Sequence, residues 1–413
     1  MKKIFLFFYM VGLLYAQELD LQECINKALK THPDIKRFIL QTKSQKIGVD
    51  VVRADYLPQI SLSAEYDPTK TYTLPANGVF NTIDNDGWQV GATLKQKIWD
   101  YSKTTSTIKA QEQQAEASLL TLEDAKALLA YKVKLQYELM VLQKKAISVR
   151  KKDLHSKEEL YKQAQALVNL GMKTNADATR FLSSVFIAKE NLAIAEASFT
   201  KAKTILSLYI NEPIDSDAIL QDTLLETKWN KEDEGRVLKD SHLLQSLKKN
   251  INKSELSYKA TKASHYGSVD AITSYTYQDT LNEYDSTLVA ITVNIPLYSG
   301  GRTSALIQQA LINKQSAEFE YKARELLLKE EFESLLIDLD RYKQTIQAKK
   351  SQLQAANQTK TLLNARYKEG LSTYIEVLDA TALALNAELG LLQAEYEKSS
   401  TIHRLEYLQG KII

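Results

Sequence analysis

Cysteine, proline and glycine are scarce in this chain of 413 residues, which has one, six and thirteen of them respectively. The single cysteine, Cys24, excludes an internal disulfide, and we interpret it as a small apolar residue of the first helix. So few prolines and glycines indicate long, uninterrupted helices rather than a globule rich in loops. No segment after the N-terminal leader reaches about 18 consecutive apolar residues, so no transmembrane helix is predicted in the mature chain.

The chain also lacks a strong charge imbalance and the residue spacings of a catalytic or metal site. Its formal net charge is +2 with 25% charged residues, which argues against a nucleic-acid-binding protein. The five histidines are scattered without metal-ligand spacing, and no lysine follows Ser299-Gly300-Gly301 as a phosphate-binding loop requires. We therefore predict that the chain is not an enzyme and holds no cofactor or metal.

The N-terminus reads as an export signal. Lys2 and Lys3 precede the apolar run Ile4–Tyr15, and Ala16 suits the position before a cleavage site. The run is about 12 residues long, too short to span a bilayer of about 30 Å. We predict a signal peptide over residues 1–16 and an exported mature protein.

A long internal repeat organises the chain. The segment Val90–Thr104 aligns with Val289–Thr303 at a separation of 199 residues, and the same separation carries Gly171 onto Gly370. We predict a first repeat over residues 17–211, an irregular insert over 212–240 and a second repeat over 241–413. Each repeat is read as helix, strand, loop, strand, long helix, glycine turn and helix.

The helical segments follow a coiled-coil period. In the predicted helix Thr303–Lys368 the apolar positions alternate between spacings of four and three residues, which predicts left-handed coiled-coil packing. This helix would run roughly 100 Å at 1.5 Å per residue. Its counterpart is Ser102–Val168, and shorter helices are predicted over Leu21–Ala54 and Thr174–Ile210.

The predicted strands carry one apolar and one polar face. Residues 57–98 and 267–296 each read as a hairpin, and Asp67–Gly87 inside the first one reads as a loop because of its prolines and glycines. Segments of about ten residues with this alternation are typical of transmembrane β-barrels, although an ordinary half-buried sheet has the same pattern. Four strands cannot close a barrel, and an open sheet edge is not tolerated in lipid, so we expect cyclic assembly of two or three copies.

Four segments resemble the TolC-like outer membrane factors. They are the strand-to-helix junction Ile295–Arg302, the tip Arg366–Ala380, the start Ala28–Ile35 and the strand entry Leu57–Leu62. With the repeat, the resemblance covers nearly the whole mature chain.

The resemblance implies a mainly α-helical homotrimer with membrane β-strands. Four strands per protomer would form a 12-stranded β-barrel in the outer membrane, continued into the periplasm by a long α-helical coiled-coil barrel. It also implies a function as the outer-membrane channel of a tripartite efflux pump or type I secretion system. Its partners would be a periplasmic adaptor protein, an inner-membrane pump or ABC transporter, and outer-membrane lipid.

The resemblance further implies a periplasmic gate at the second tip. Glu376 and Asp379 match positions that form acidic rings in related channels, while Tyr367 and Asp177 match a tyrosine and its acidic partner in a latch. Simpler interpretations remain open. The two acids suit the first turns of any helix, and Tyr367 suits the last apolar position of a coiled-coil seam.

The tips around the two glycines would be the adaptor-docking surface. One departure stands out, because a basic residue that braces the gate in some relatives falls on Ser372 here. The predicted docking residues are Leu170, Gly171, Met172, Lys173, Thr174, Glu369, Gly370, Leu371, Ser372 and Thr373.

Two other classes of protein compete with the channel. A periplasmic adaptor also has long helical hairpins, but one hairpin rather than two in tandem. A purely structural coiled-coil scaffold is the third hypothesis.

Overall fold

The computed structural model describes residues 18–76, 78–215, 218–222, 229 and 237–412. The predicted signal peptide, residues 1–16, lies outside these ranges, as does part of the predicted insert over 212–240. The elements in chain order are β1 (Glu18–Leu19), α1 (Leu21–Thr31), α2 (Pro33–Arg53), β2 (Gln59–Ala76), β3 (Val79–Trp99), α3 (Lys103–Asn169), α4 (Asn175–Ile210), β4 (Ile219–Leu220), α5 (Val237–Asp240), α6 (His242–Ala263), β5 (Ser268–Asp279), β6 (Glu283–Asn294), α7 (Arg302–Lys368) and α8 (Tyr374–Leu408).

The chain divides into two compact units, and each takes segments from both predicted repeats. The first unit comprises residues 1–37, 123–241 and 327–413, and the second comprises residues 38–122 and 242–326. The second unit contains the sheet, and the first contains the two helical tips. The division into sequence repeats stays a prediction.

The sheet of the second unit is antiparallel in the order β2-β3-β5-β6. The two predicted hairpins therefore lie side by side, joined through β3 and β5. Its apolar face is open to its surroundings in the single chain, since Ile60, Leu62, Val289 and Ile291 are each more than three-quarters exposed. Side chains alternate between the two faces of a strand, so the opposite face carries the polar residues.

The loop predicted over Asp67–Gly87 is wrong, because β2 and β3 continue as a paired ribbon as far as Ala76 and Val79. Two prolines suggested a loop, but β2 is an outer strand of the described sheet, where proline is tolerated. The register also shifts between Asp67 and Lys70, so Pro68 lies in a β-bulge.

The two long helices have the predicted bounds, and their left-handed coiled-coil packing stays a prediction. Each of α3 and α7 has 67 residues, within one residue of the predicted bounds. In α7 the buried residues Leu328, Phe332 and Leu339 belong to the predicted apolar seam. Among the described residues, no helix combines the length and the hydropathy needed to cross a bilayer.

The single helix predicted over Leu21–Ala54 is instead two helices, α1 and α2. His32 has extended backbone angles of φ −61° and ψ 129°, which end α1. A residue before proline is pushed out of the helical region by the proline ring, and Pro33 then begins α2 at the one position that favours it.

The described part of the insert is held to α3. The short strand β4 pairs in parallel with β1. The hydroxyl of Tyr137 donates to the Leu19 carbonyl at 2.7 Å and accepts from the Gln221 amide at 2.9 Å. Because Tyr137 is fully buried, these bonds fix both short strands against the helix.

Candidate functional site

The two tips of the first unit share one backbone geometry. After α3, Gly171 has φ +71°, and after α7, Gly370 has φ +77°. In both turns the residue after the glycine donates its amide to a carbonyl five residues earlier, at 2.9 Å for Met172 and 2.8 Å for Leu371. This is the Schellman ending of a helix, which glycine favours because it has no Cβ.

A threonine and an acid begin the helix after each turn. The Glu376 carboxylate accepts from the Thr373 amide at 2.7 Å and from its hydroxyl at 2.9 Å. At the first tip the Asp177 carboxylate accepts from the Thr174 amide at 3.1 Å and from its hydroxyl at 3.2 Å. These bonds satisfy amides that a helix start leaves unpaired. Glu376 is therefore part of the capping box of α8, and its role in a gate stays a prediction.

An apolar cluster next to the tips contains buried side chains from α3, α4, α7 and α8. Phe181 and Tyr367 are its largest side chains, and their rings lie 5.4 Å apart in an edge-on arrangement. The buried members are Leu160, Ala164, Leu167, Ala178, Phe181, Tyr367 and Val377. Burial of this cluster holds the two helical hairpins together where each one turns.

Tyr367 is fully buried, yet its hydroxyl has no hydrogen-bond partner among the described residues. Burial, and then the nearby Asp177 carboxylate, raises the pKa of the Tyr367 hydroxyl. The predicted latch pair is thus close enough to interact electrostatically. However, no hydrogen bond joins its members, because the bonds of Asp177 go to Thr174. The latch role of these two residues stays a prediction.

Lys173 connects the two tips. Its Nζ donates to the Ser372 carbonyl at 3.2 Å and lies 5.3 Å from the centre of the Tyr367 ring. From the sequence, Lys173 is predicted only as part of the adaptor-docking surface. One signal in the sequence could have predicted this contact. The repeat separation of 199 residues carries Lys173 onto Ser372, and Ser372 is the position at which some relatives have a basic residue and this chain does not. The basic side chain comes from the first tip instead of the second.

The predicted gate acids Glu376 and Asp379 are both exposed in the single chain. They are three residues apart in α8, so they lie on the same helical face. Hydrogen bonds from the backbone and side chain of Thr373 lower the pKa of Glu376. That carboxyl is therefore ionised at neutral pH.

The predicted docking surface is partly apolar and mostly exposed. Leu170, Met172 and Leu371 are 72%, 56% and 68% exposed. Ser372 is the exception, because it is buried and its hydroxyl donates to the Leu363 carbonyl at 3.1 Å. It contributes to packing within the tip rather than to the outer surface.

Comparison with known proteins decides the family. The sequence matches the outer membrane efflux protein family over residues 24–212 and 235–411. The chain belongs to the outer membrane efflux protein family. It is 22% identical to the outer membrane protein TolC of Vibrio cholerae over 416 residues, covering 95% of this chain and 91% of that one. It is also 22% identical to the outer membrane efflux protein BepC of Brucella suis over 376 residues, covering 90% and 81%.

The fold agrees with that assignment. The chain superimposes on the outer membrane protein VceC of Vibrio cholerae with a TM-score of 0.84 at 15% identity, covering 95% of this chain and 96% of that one. This efflux protein is thus an outer-membrane channel component and not an enzyme. The adaptor and scaffold hypotheses are set aside by the family.

Replacement of Tyr367 separates packing from hydrogen bonding. Tyr367→Phe removes a hydroxyl that has no partner, so we expect the tip to keep its stability. Tyr367→Ala leaves a cavity in the cluster and should destabilise the tip by about 3–5 kcal/mol, which is roughly a hundredfold or more in local opening. Tryptic cleavage after Arg366 and Lys368 under native conditions measures that opening. If Tyr367→Phe were cleaved as fast as Tyr367→Ala, and both faster than the wild type, the hydroxyl would contribute to the stability of the tip.

Replacement of Lys173 tests the connection between the tips. Lys173→Met loses one hydrogen bond and one cation–π contact, about 1–2 kcal/mol together. We expect amide hydrogens of residues 371–374 to exchange about five to thirty times faster. Lys368→Met is the control, since it removes the same charge from an exposed site on the neighbouring helix. Equal exchange in both variants would contradict the connection.

Proposed function

We propose that three copies of this efflux protein form one channel, with four strands per copy closing a 12-stranded barrel in the outer membrane. The observation that carries the proposal is the sheet itself, with its outer strands β2 and β6 and its exposed apolar face. In lipid every backbone amide and carbonyl must be bonded within the protein. Pairing β2 of one copy with β6 of the next supplies those bonds around a closed ring.

Two groups of aromatic side chains support this placement in the membrane. In one group the rings of Trp88 and Tyr277 lie 5.3 Å apart. In the other, Tyr101 lies 5.9 Å from Trp99 and 5.1 Å from Tyr266. The eleven residue steps of β3 from Trp88 to Trp99 span about 28 Å of membrane at a tilt of about 40°. That matches an apolar band of about 25 Å flanked by aromatic girdles.

The gate of the channel would lie at the tips. In a trimer Glu376 and Asp379 each occur three times, so the inward-facing helix starts would present six carboxylates and favour cations. The hydrogen bonds from Thr373 lower the pKa of Glu376, so the three Glu376 carboxylates are charged at neutral pH. Tyr367 would hold the closed gate through the apolar cluster and its proximity to Asp177 rather than through a hydrogen bond.

The partners would dock at the outer surface of the tips. Leu170, Met172 and Leu371 expose apolar side chains there, and such a patch favours protein contact over water. A periplasmic adaptor would cover this patch and connect the channel to an inner-membrane pump or ABC transporter. The channel would then carry substrates out through an efflux pump or a type I secretion system.

Neutralising the acids tests the gate. We expect Glu376→Gln with Asp379→Asn to form channels in planar bilayers whose cation preference is several times lower than that of the wild type. Glu190→Gln with Glu196→Gln is the control, because it removes the same charge from exposed positions of α4 more than ten residues beyond its start. Single-channel reversal potentials across a salt gradient give the preference.

Two outcomes would overturn different parts of the proposal. Equal selectivity in wild type and gate variant would leave a channel but return both acids to the role of helix-start charges. Absence of any conductance from folded wild-type protein would contradict the channel.

A further inference from the structure

The strands β2 and β3 continue as a ribbon beyond the four-stranded sheet, and the proposed function gives this ribbon no role. The strand β3 pairs with β5 only from Trp88 onward, so Asp67–Ala76 and Val79–Gly87 extend past the sheet as two strands alone. Its base is fixed to the turn between β5 and β6, because the Asn85 side-chain amide donates to the Thr280 carbonyl at 2.6 Å. Nine residues of β3 and ten of β2, one of them the extra residue of the bulge, give the ribbon a length of about 30 Å.

The polarity of the two faces reverses where the ribbon begins. Within the sheet, the face that would line the channel carries polar residues such as Glu65 and Gln89, which pair across β2 and β3. Odd-numbered positions of β3 share that face, so Val79 and Ile83 follow Gln89 on it. The bulge at Asp67/Lys70 adds one residue to β2 and brings Tyr72 to the same face, opposite Ile83.

A recess in the structure agrees with the face that the register gives Tyr72. Tyr72 lines it together with Glu65, Gln89 and Gln278, all residues of the polar face of the sheet. The opposite face of the ribbon carries the exposed residues Thr71, Thr82 and Asp84. The channel-side face is therefore polar inside the membrane. Beyond Asn85 and Lys70 at the base of the ribbon, it carries Tyr72, Ile83 and Val79.

That apolar face is uncovered in the single chain. Val79 is 63% exposed and Ile83 is 43% exposed. The Tyr72 hydroxyl beside them is already buried in the single chain and has no hydrogen-bond partner among the described residues. A two-stranded ribbon in water is marginally stable unless an apolar face is packed. The face needs a partner on the channel side.

We propose that the three ribbons of the trimer pack their apolar faces against each other and close the extracellular mouth of the channel. The inference rests on the proposed trimer. Twelve strands spaced about 4.8 Å apart and tilted by about 40° enclose a radius of about 12 Å. A ribbon of about 30 Å reaches the axis by leaning inward about 25°, and bulges bend strands.

Copies of the chain fit this surface better than a foreign protein. The face points toward the axis, where the symmetry of a closed ring brings the same residues of each copy together. Val79 and Ile83 would then be buried at one self-complementary contact, while the threonines and Asp84 stay in water. The mouth would open when this small contact separates.

Cysteine cross-linking tests the contact. In a Cys24→Ala background, Val79→Cys places one thiol per copy on the apolar face, and Thr82→Cys places one on the opposite face. On oxidation in intact cells we expect Val79→Cys to give about tenfold more disulfide-linked dimer, because a disulfide needs Cα atoms within about 7 Å. Equal or negligible dimer from both would overturn the proposal.

Two further readouts separate the possible failures. Light scattering of both detergent-solubilised variants reports whether three copies assemble, so a trimer without Val79→Cys dimer contradicts the closed mouth alone. A particle that is not a trimer contradicts the proposed function as well. In planar bilayers, the cross-linked Val79→Cys channel should conduct less than after reduction. Unchanged conductance would show that the ribbons meet without closing the mouth.

Discussion

The need to pair every backbone group in lipid is the constraint on which this structure depends. One chain supplies four strands, an exposed apolar face and two outer strands, β2 and β6. The apolar face cannot remain in water, and the outer strands cannot remain unpaired in a bilayer. Cyclic assembly meets both demands together. The number of copies, the central channel and the triplication of every tip residue are consequences of that assembly.

The tips show how two similar hairpins can have different roles. Both end their long helix with a glycine at positive φ and start the next with a threonine and an acid. The side chains then differ, because Lys173 reaches from the first tip to the carbonyl of Ser372 in the second. The two tips have the same backbone geometry, but the equivalent positions Lys173 and Ser372 hold different residues, and the contact between these two residues joins the tips.

Much of this architecture could be predicted from local patterns. The heptad seam and the scarcity of glycine predict α7 to within one residue, and strand alternation identifies the apolar face of the sheet. Two errors came from proline. Pro33 divides a predicted helix, whereas Pro68 and Pro75 are accommodated in an outer strand that was predicted as a loop. The contact of Lys173 could not be predicted from its neighbours, because it depends on residues that are distant in the chain.

Amide hydrogen exchange of the wild-type protein in lipid nanodiscs tests the central claim most directly. In a closed barrel, the amides of residues 59–66 in β2 and of β6 should be as strongly protected as those of β3 and β5, because neighbouring copies bond both outer strands. Fast exchange confined to β2 and β6 would contradict a closed ring of copies.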